Sequence, residues 1–284
     1  MGCLKRGLVF FITTALFAAG GIRLDEARKF YHLSEFDKSL QVLRELPEKD
    51  AAVWELIGQN YYGQADFKKA TEALEKAVAL EPTNSDITLW LGRAYGRRAE
   101  TSSPFTAPGF ASKTRQYFER ATQLNPNNME ALSDLFEYYL EAPGFLGGGL
   151  DKAGRVAEQI SRLNPVEGYW AQAKLAEKRK EYRSAEAHLR QAIEAAPMQV
   201  GRLIDLAKLL TRQGKNKEAD VSLAQAEQVA PNSPRLIYAK AEIYVKSKRN
   251  LDVARKLLKQ YMGMELTPDD PSRADAEKLL KQTL

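Results

Sequence analysis

One recurring spacing limits what this chain can fold into. Apolar or small residues stand at Trp54, Ile57, Gly58 and Tyr61, then at Ala70, Leu74 and Ala77, with Pro82 closing the set. They return as Leu203, Leu206, Ala207, Leu210, Ala219, Leu223, Ala226 and Pro231, each 149 residues after its counterpart. Steps of three and four mark two amphipathic helices, separated by a turn around residues 63–66. Closing prolines at 82, 126, 165, 197 and 231 are 44, 39, 32 and 34 residues apart. A helix pair of this size cannot bury its own apolar face, so neighbouring pairs must stack.

The marks resemble the tetratricopeptide repeat, W-x2-L-G-x2-Y…A-x3-F…P over a period of ~34 residues. The resemblance implies an all-α fold, a right-handed superhelical solenoid of antiparallel helix pairs with about seven repeats. Gly58, Gly92, Ala207 and Ala241 are small where two helices are expected to cross. Residues 22–50 read as a degenerate first repeat, 51–265 as the repeat array and 266–284 as a C-terminal capping helix. Repeat five, from Gly168 to Pro197, reads with a shortened first helix. Repeat seven slips by one residue to Ala254 and Leu258.

The long intervals place two insertions between the helices of their repeats, at residues 100–113 ("ETSSPFTAPGFASK") and 141–152 ("EAPGFLGGGLDK"). Both contain "APGF", and stacked pairs would bring the two out side by side on one edge. They read as loops offering Phe105, Phe110, Phe145 and Leu146 to solvent or a partner. Glycines 147–149 do not form a phosphate cradle, because a P-loop needs G-x-x-x-x-G-K-[ST] after a strand. They read as a turn that permits positive φ, with Asp151 capping a helix at Lys152–Leu163.

Residues 1–21 run from Lys5 and Arg6 through an apolar stretch to "AAGG", the order of a secretory signal peptide. The uncharged stretch from Gly7 to Ile22 spans sixteen residues, short against the ~20 that cross a bilayer, so a membrane anchor is the alternative. The chain is expected to be exported, periplasmic or extracellular, with membrane contact only through this segment if it stays attached.

The rest of the composition narrows the chemistry. A net charge of +5 is spread among acids, with no run of five Lys or Arg, which excludes a nucleic-acid footprint. One cysteine, Cys3, and two separated histidines, His32 and His188, leave nothing from which to build a disulfide, a metal site or a histidine-based triad. No cofactor and no catalysis are expected.

In the family, the first helix of each repeat lines the concave groove. The resemblance therefore places Glu55, Gln59 and Tyr62, then Leu89, Arg93 and Arg97, then Ser133, Glu137 and Glu141 on that surface. Trp170, Lys174, Ile204, Lys208, Arg212, Tyr238, Glu242 and Lys246 continue it. The expected partner-binding residues are Gln59, Tyr62, Arg93, Arg97, Glu137, Trp170, Lys208, Arg212 and Tyr238 in the groove, with Phe110 and Phe145 on the edge. A surface of mixed charge suits an extended peptide or partner helix. The competing expectation is a carrier of a small or lipidic ligand, with the insert loops as a lid over an apolar pocket near Phe110 and Phe145.

Overall fold

The computed structural model describes residues 22–283, and all regular structure among them is helical. The expected signal peptide or anchor lies outside the described residues, apart from Ile22. The chain divides into two compact units, Met1–Leu124 and Asn125–Leu284. The first contains helical residues 22–32 (α1), α2 (Phe36–Arg44), α3 (Ala51–Gly63), α4 (Phe67–Leu80), α5 (Ser85–Thr101) and α6 (Ala107–Leu124). The second contains α7 (Met129–Glu141), α8 (Leu150–Leu163), α9 (Pro165–Lys178), α10 (Tyr182–Ala195) and α11 (Val200–Arg212). It continues with α12 (Asn216–Val229), α13 (Pro234–Lys246), α14 (Leu251–Met262) and α15 (Arg273–Lys281), which packs against α14.

From α3 onward the helices of a pair pack on each other, and within each unit the second helix packs on the first helix of the next pair. The small positions are where the two helices of a pair touch. A Cβ added to Gly58 would lie 2.5 Å from Leu74 Cγ, and one added to Gly92 would lie 2.6 Å from Phe118 Cδ1. Ala207 and Ala241 are fully buried at the equivalent places.

A common turn joins the helices of most pairs. Ser34, Ala65, Lys180, Gly214 and Lys248 all adopt positive φ, between 53° and 74°. The residue after each donates its N–H to a carbonyl five residues back, as from Asp66 to Tyr61 and from Lys215 to Leu210, both at 2.9 Å. This is the Schellman closure of a helix end, for which glycine is the least costly residue. Lys248 is followed by Asn250, also left-handed at φ 50°. That extra turn residue accommodates the one-residue slip of repeat seven.

The stretch 100–113 is not a loop. Its extra residues lengthen both helices of the pair, leaving only 102–106 outside them. Pro108 and Gly109, which read as helix breakers, sit in the first turn of α6, where an N–H has no intrahelical acceptor and proline is tolerated. Phe110 is therefore helical and half-buried, stacked on Tyr95 at 6.0 Å with the Arg98 guanidinium 4.1 Å over its ring. Tyr95 also stacks on Tyr117 at 5.6 Å, accepts from Lys113 Nζ at 2.9 Å and donates to Glu75. Burial, then the bond to Glu75, pushes its hydroxyl well above the ordinary range. Phe105, at the tip, is 96% exposed.

Residues 142–149 fold back on themselves. A 3-10 turn at Gly144–Leu146 leads to Gly147 (φ 89°) and Gly149 (φ 154°). A Cβ on Gly148 would lie 1.8 Å from the Ala142 carbonyl oxygen, so only glycine fits there. Gly149 N–H donates to Tyr139 O at 2.8 Å, Tyr138 Oη to Leu146 O at 2.9 Å and Lys152 Nζ to Gly147 O at 2.8 Å. Helix α8 begins at Leu150 behind Gly149, so Asp151 lies in its first turn instead of capping it. Leu146 is half-buried, whereas Phe145 is 82% exposed.

Repeat five keeps a full first helix, α9, of 14 residues. What is short is the connection before it. Asn164 alone ends α8 and caps α9, its side chain accepting from Val166 and Glu167 N–H at 3.0 and 3.3 Å. Pro165 opens α9 instead of only closing a repeat.

The repeated left-handed turn predicts opposite effects at two equivalent positions. Lys180→Gly is expected to raise the unfolding free energy by about 0.5–1 kcal/mol, and Gly214→Ala to lower it by about 1–2 kcal/mol, in urea denaturation.

Candidate functional site

In the first unit, side chains of α3, α4 and α5 meet through an aromatic and cationic chain. Tyr62 is half-buried and edge-on to both Phe67 and Trp90, with centroids 5.5 Å apart in each case. Arg93 lies 5.0 Å over Trp90, and Arg97 lies 5.1 Å over Phe67 while bonding Glu100 at 2.6 Å. Three of the expected groove residues, Tyr62, Arg93 and Arg97, thus share one surface, held by cation–π and edge-to-face contacts. Beside them Gln59 Nε2 donates to Glu55 Oε1 at 3.0 Å. Burial, then the charge of Asp86, raises the half-buried Glu55 carboxyl to about 7, with Arg28 acting in the opposite direction.

In the second unit a ladder of ion pairs joins successive first helices. Lys178 bonds Glu141 at 2.6 Å, and Arg202 bonds Glu167 at 2.5 Å. Arg212 holds Glu177 through two nitrogens, at 2.5 and 2.8 Å, and Lys208 bonds Glu242 at 2.7 Å. The partners are 34 to 37 residues apart, close to one repeat. Lys208 and Arg212, expected to meet a partner, therefore also tie repeats together. Burial alone would push the Glu242 carboxyl up, but hydrogen bonds from Lys208 and Lys246 outweigh it and hold it below the ordinary range.

The middle of this ladder is a recess formed by Lys174, Glu177, Asp205, Lys208 and Arg212, floored by Ala173 and Leu189. Glu137 is exposed on α7, and partial desolvation is the main cause that raises its carboxyl. Tyr238 is half-buried against Tyr261, 5.3 Å between centroids, and burial pushes its hydroxyl up to about 12.

Three expected groove residues are core instead. Trp170 is 8% exposed, edge-on to Phe136 at 5.7 Å and beneath the Arg202 guanidinium at 5.2 Å. Leu89 and Ile204 are buried as well. Each lies next to a core mark, and an apolar side chain there rotates inward. Glu167, Arg202 and Glu177 were missed, although acid and base one repeat apart was a readable signal for them. The histidines are apart from this chemistry: His32 is exposed on α1, and His188 stacks 6.5 Å from Tyr169.

Residues 51–84 match the family model of the tetratricopeptide repeat. Among solved structures, a tetratricopeptide repeat protein from Parabacteroides merdae is similar with a TM-score of 0.62 at 17% identity, covering 94% of this chain and 99% of its own. A thermophilic tetratricopeptide repeat protein of Thermus thermophilus gives 0.56 at 19% identity, over 67% of this chain and 98% of its own. A chain of the APC/C hetero-tetramer Cut9–Hcn1 gives 0.52 at 14% identity, over 91% of this chain and 48% of its own. No curated protein sequence matches the chain. Residues 51–84 thus carry one tetratricopeptide repeat, and the fold of the chain is similar to that of tetratricopeptide repeat proteins. That fold is in general a protein-interaction scaffold.

Two predictions follow from the charges. The folded state holds the Glu55 proton to about pH 7, whereas the unfolded chain releases it near 4.5. Stability contributed by the protonated form is complete below pH 4.5 and is lost as pH rises through 7. Glu55→Gln is expected to be more stable than the parent by about 1–2 kcal/mol at about pH 8, with no advantage in acid, measured by denaturation across pH. Arg202→Ala, which strips a half-buried carboxylate of its partner, is expected to cost about 2–3 kcal/mol; Lys178→Ala, at an exposed pair, costs under about 0.5 kcal/mol.

Proposed function

We propose that this protein is a non-catalytic adaptor in the cell envelope that holds a protein or peptide partner along the inner faces of its first helices. The observation that carries this reading is the assembly of side chains from successive repeats into one surface within each unit. Tyr62, Trp90, Arg93 and Arg97 form it in the first unit. The paired charges around Lys208 and Arg212 form it in the second. Such surfaces bind by shape and charge complementarity. The location rests on the sequence of residues 1–22 alone, an exported leader or a tether. Among the described residues no helix is long and apolar enough to cross a membrane.

The geometry favours an adaptor over a ligand carrier. The Phe110 ring is covered by Tyr95 and Arg98, and Phe145 is too exposed to line an enclosed pocket. Crosslinking in the native host, followed by tagged capture and mass spectrometry, tests the reading. A small, recurring set of envelope proteins is expected with the parent chain. It is expected to be lost when Tyr62, Arg93, Lys208 and Arg212 are all changed to Ala, and kept when the exposed Val221 and Val253 are changed to Ser. Equal capture by the parent and the groove variant would refute it.

A further inference from the structure

The second unit has one basic edge. Its first-to-second helix turns, taken with the residues beside them, are 178–183, 212–217 and 246–251, stepped by 34 residues. Together they hold ten Lys or Arg against one acid, Glu181. The connections at the other ends of the same helices, 195–200 and 229–234, carry no charged residue. Ion pairs set the turns in a row: Lys178 bonds Glu141, Arg212 bonds Glu177 and Arg249 bonds Asp220, at 2.6, 2.5 and 2.7 Å. Glu141 ends the helix that leads into the connection 142–149, so this connection and its exposed Phe145 stand at the head of the row.

Half of these cations are accounted for by folding. Lys178, Arg212 and Lys246 lie in the last turns of helices, where the dipole favours a positive charge, and each has a carboxylate. Lys215 and Arg249 are paired as well. The other five are Arg179, Lys180, Arg183, Lys217 and Lys248. All are exposed, with no acid, ring or hydrogen-bond acceptor beside their charges among the described residues. Four of the five stand where folding disfavours them. Lys180 and Lys248 occupy, at φ 64° and 53°, the left-handed position that glycine takes at 214. Arg183 and Lys217 are the second residues of α10 and α12, against the positive end of the helix dipole. A charge kept unpaired in such a place is open to an anion.

The rings among these cations select the anion. Phe145 is 82% exposed, and Tyr182, 41% exposed, opens α10 one residue before Arg183. Contacts to the phosphates of a duplex are made by cations and polar groups and would leave an exposed Phe unused. A bilayer surface uses both: long basic side chains reach the lipid phosphates while rings enter the boundary between headgroups and chains.

We propose that this edge of the second unit is a docking surface for an anionic lipid bilayer. Phe145 and Tyr182 sit at the headgroup level, and Lys180, Arg183, Lys217 and Lys248 face the lipid phosphates. The proposal goes beyond the adaptor reading and shares with it only the nearby membrane. The contact is additional to any made by residues 1–22.

Co-flotation of the full chain with vesicles tests it, using phosphatidylcholine alone or mixed in equal parts with phosphatidylglycerol. The parent is expected to prefer the anionic vesicles by about a hundredfold at low salt and to lose most of that preference at high salt. Arg183→Gln, Lys217→Gln and Lys248→Gln are each expected to lower anionic binding about fivefold, and the triple variant to bring it close to that on neutral vesicles. Phe145→Ser is expected to lower it about fivefold with its salt dependence unchanged. Arg162→Gln, Arg235→Gln and Lys259→Gln together remove the same charge from the opposite ends of helices and are expected to change it by less than about twofold. Any contribution of residues 1–21 is common to all variants. Equal binding to both vesicles, an equal loss in the opposite-end variant, indifference to Phe145→Ser, or binding of dye-labelled DNA or an acidic peptide through these cations in place of vesicles would each overturn the proposal. The triple variant is expected to capture partners from detergent extract as the parent does. Where capture survives and anionic vesicles are not preferred, the adaptor reading stands and the docking edge falls; where the groove variant captures like the parent but the vesicle preference holds, the reverse is true.

Discussion

Close approach of the two helices in a pair is the constraint on which everything else depends. Where Gly58 meets Leu74 and Gly92 meets Phe118, there is no room for a Cβ. That contact brings the apolar stripes of each pair together and leaves their remaining faces for the neighbours. Only then do side chains one repeat apart face each other. The aromatic and cationic chain of the first unit and the ion-pair ladder of the second both follow from it.

The two units join their first helices differently. In the first, cations lie on rings, which cost less to desolvate than bare charges, and a carboxylate titrating near neutrality stands on the same helix as Tyr62. In the second, charge is set against charge, and the couple over Trp170 is sheltered enough for its loss to matter. The first unit presents half-buried aromatic rings under its cations. The second presents charges paired with one another.

Most of the helical architecture was legible because the stacking period is written in residues that cannot be large, such as Gly58 and Gly92. Other features were hidden for physical reasons. Pro108 and Gly109 break a helix interior but not its first turn, so the lengthened pair α5–α6 read as a loop. Trp170, Leu89 and Ile204 lie one step from the core marks, where a small rotation of the helix decides between groove and interior. Asp151 follows a helix start that Gly149 supplies. The pairing of Glu177 with Arg212 needed the register of α9, which the short connection at Asn164 had obscured.

Asn164 carries a consequence for how such a chain can change. It serves two helices at once, ending α8 and opening α9. An α-helix turns by about 100° per residue, so one residue added or lost within either helix beside it would swing the following face by that angle. Every rung downstream would then lose its opposite number. The connection at 102–106 has no such duty, being a tip beyond a pair already fastened by Tyr95, Phe110 and Glu75. Length can drift at that tip through generations of descent, while the joint at Asn164 must be inherited whole.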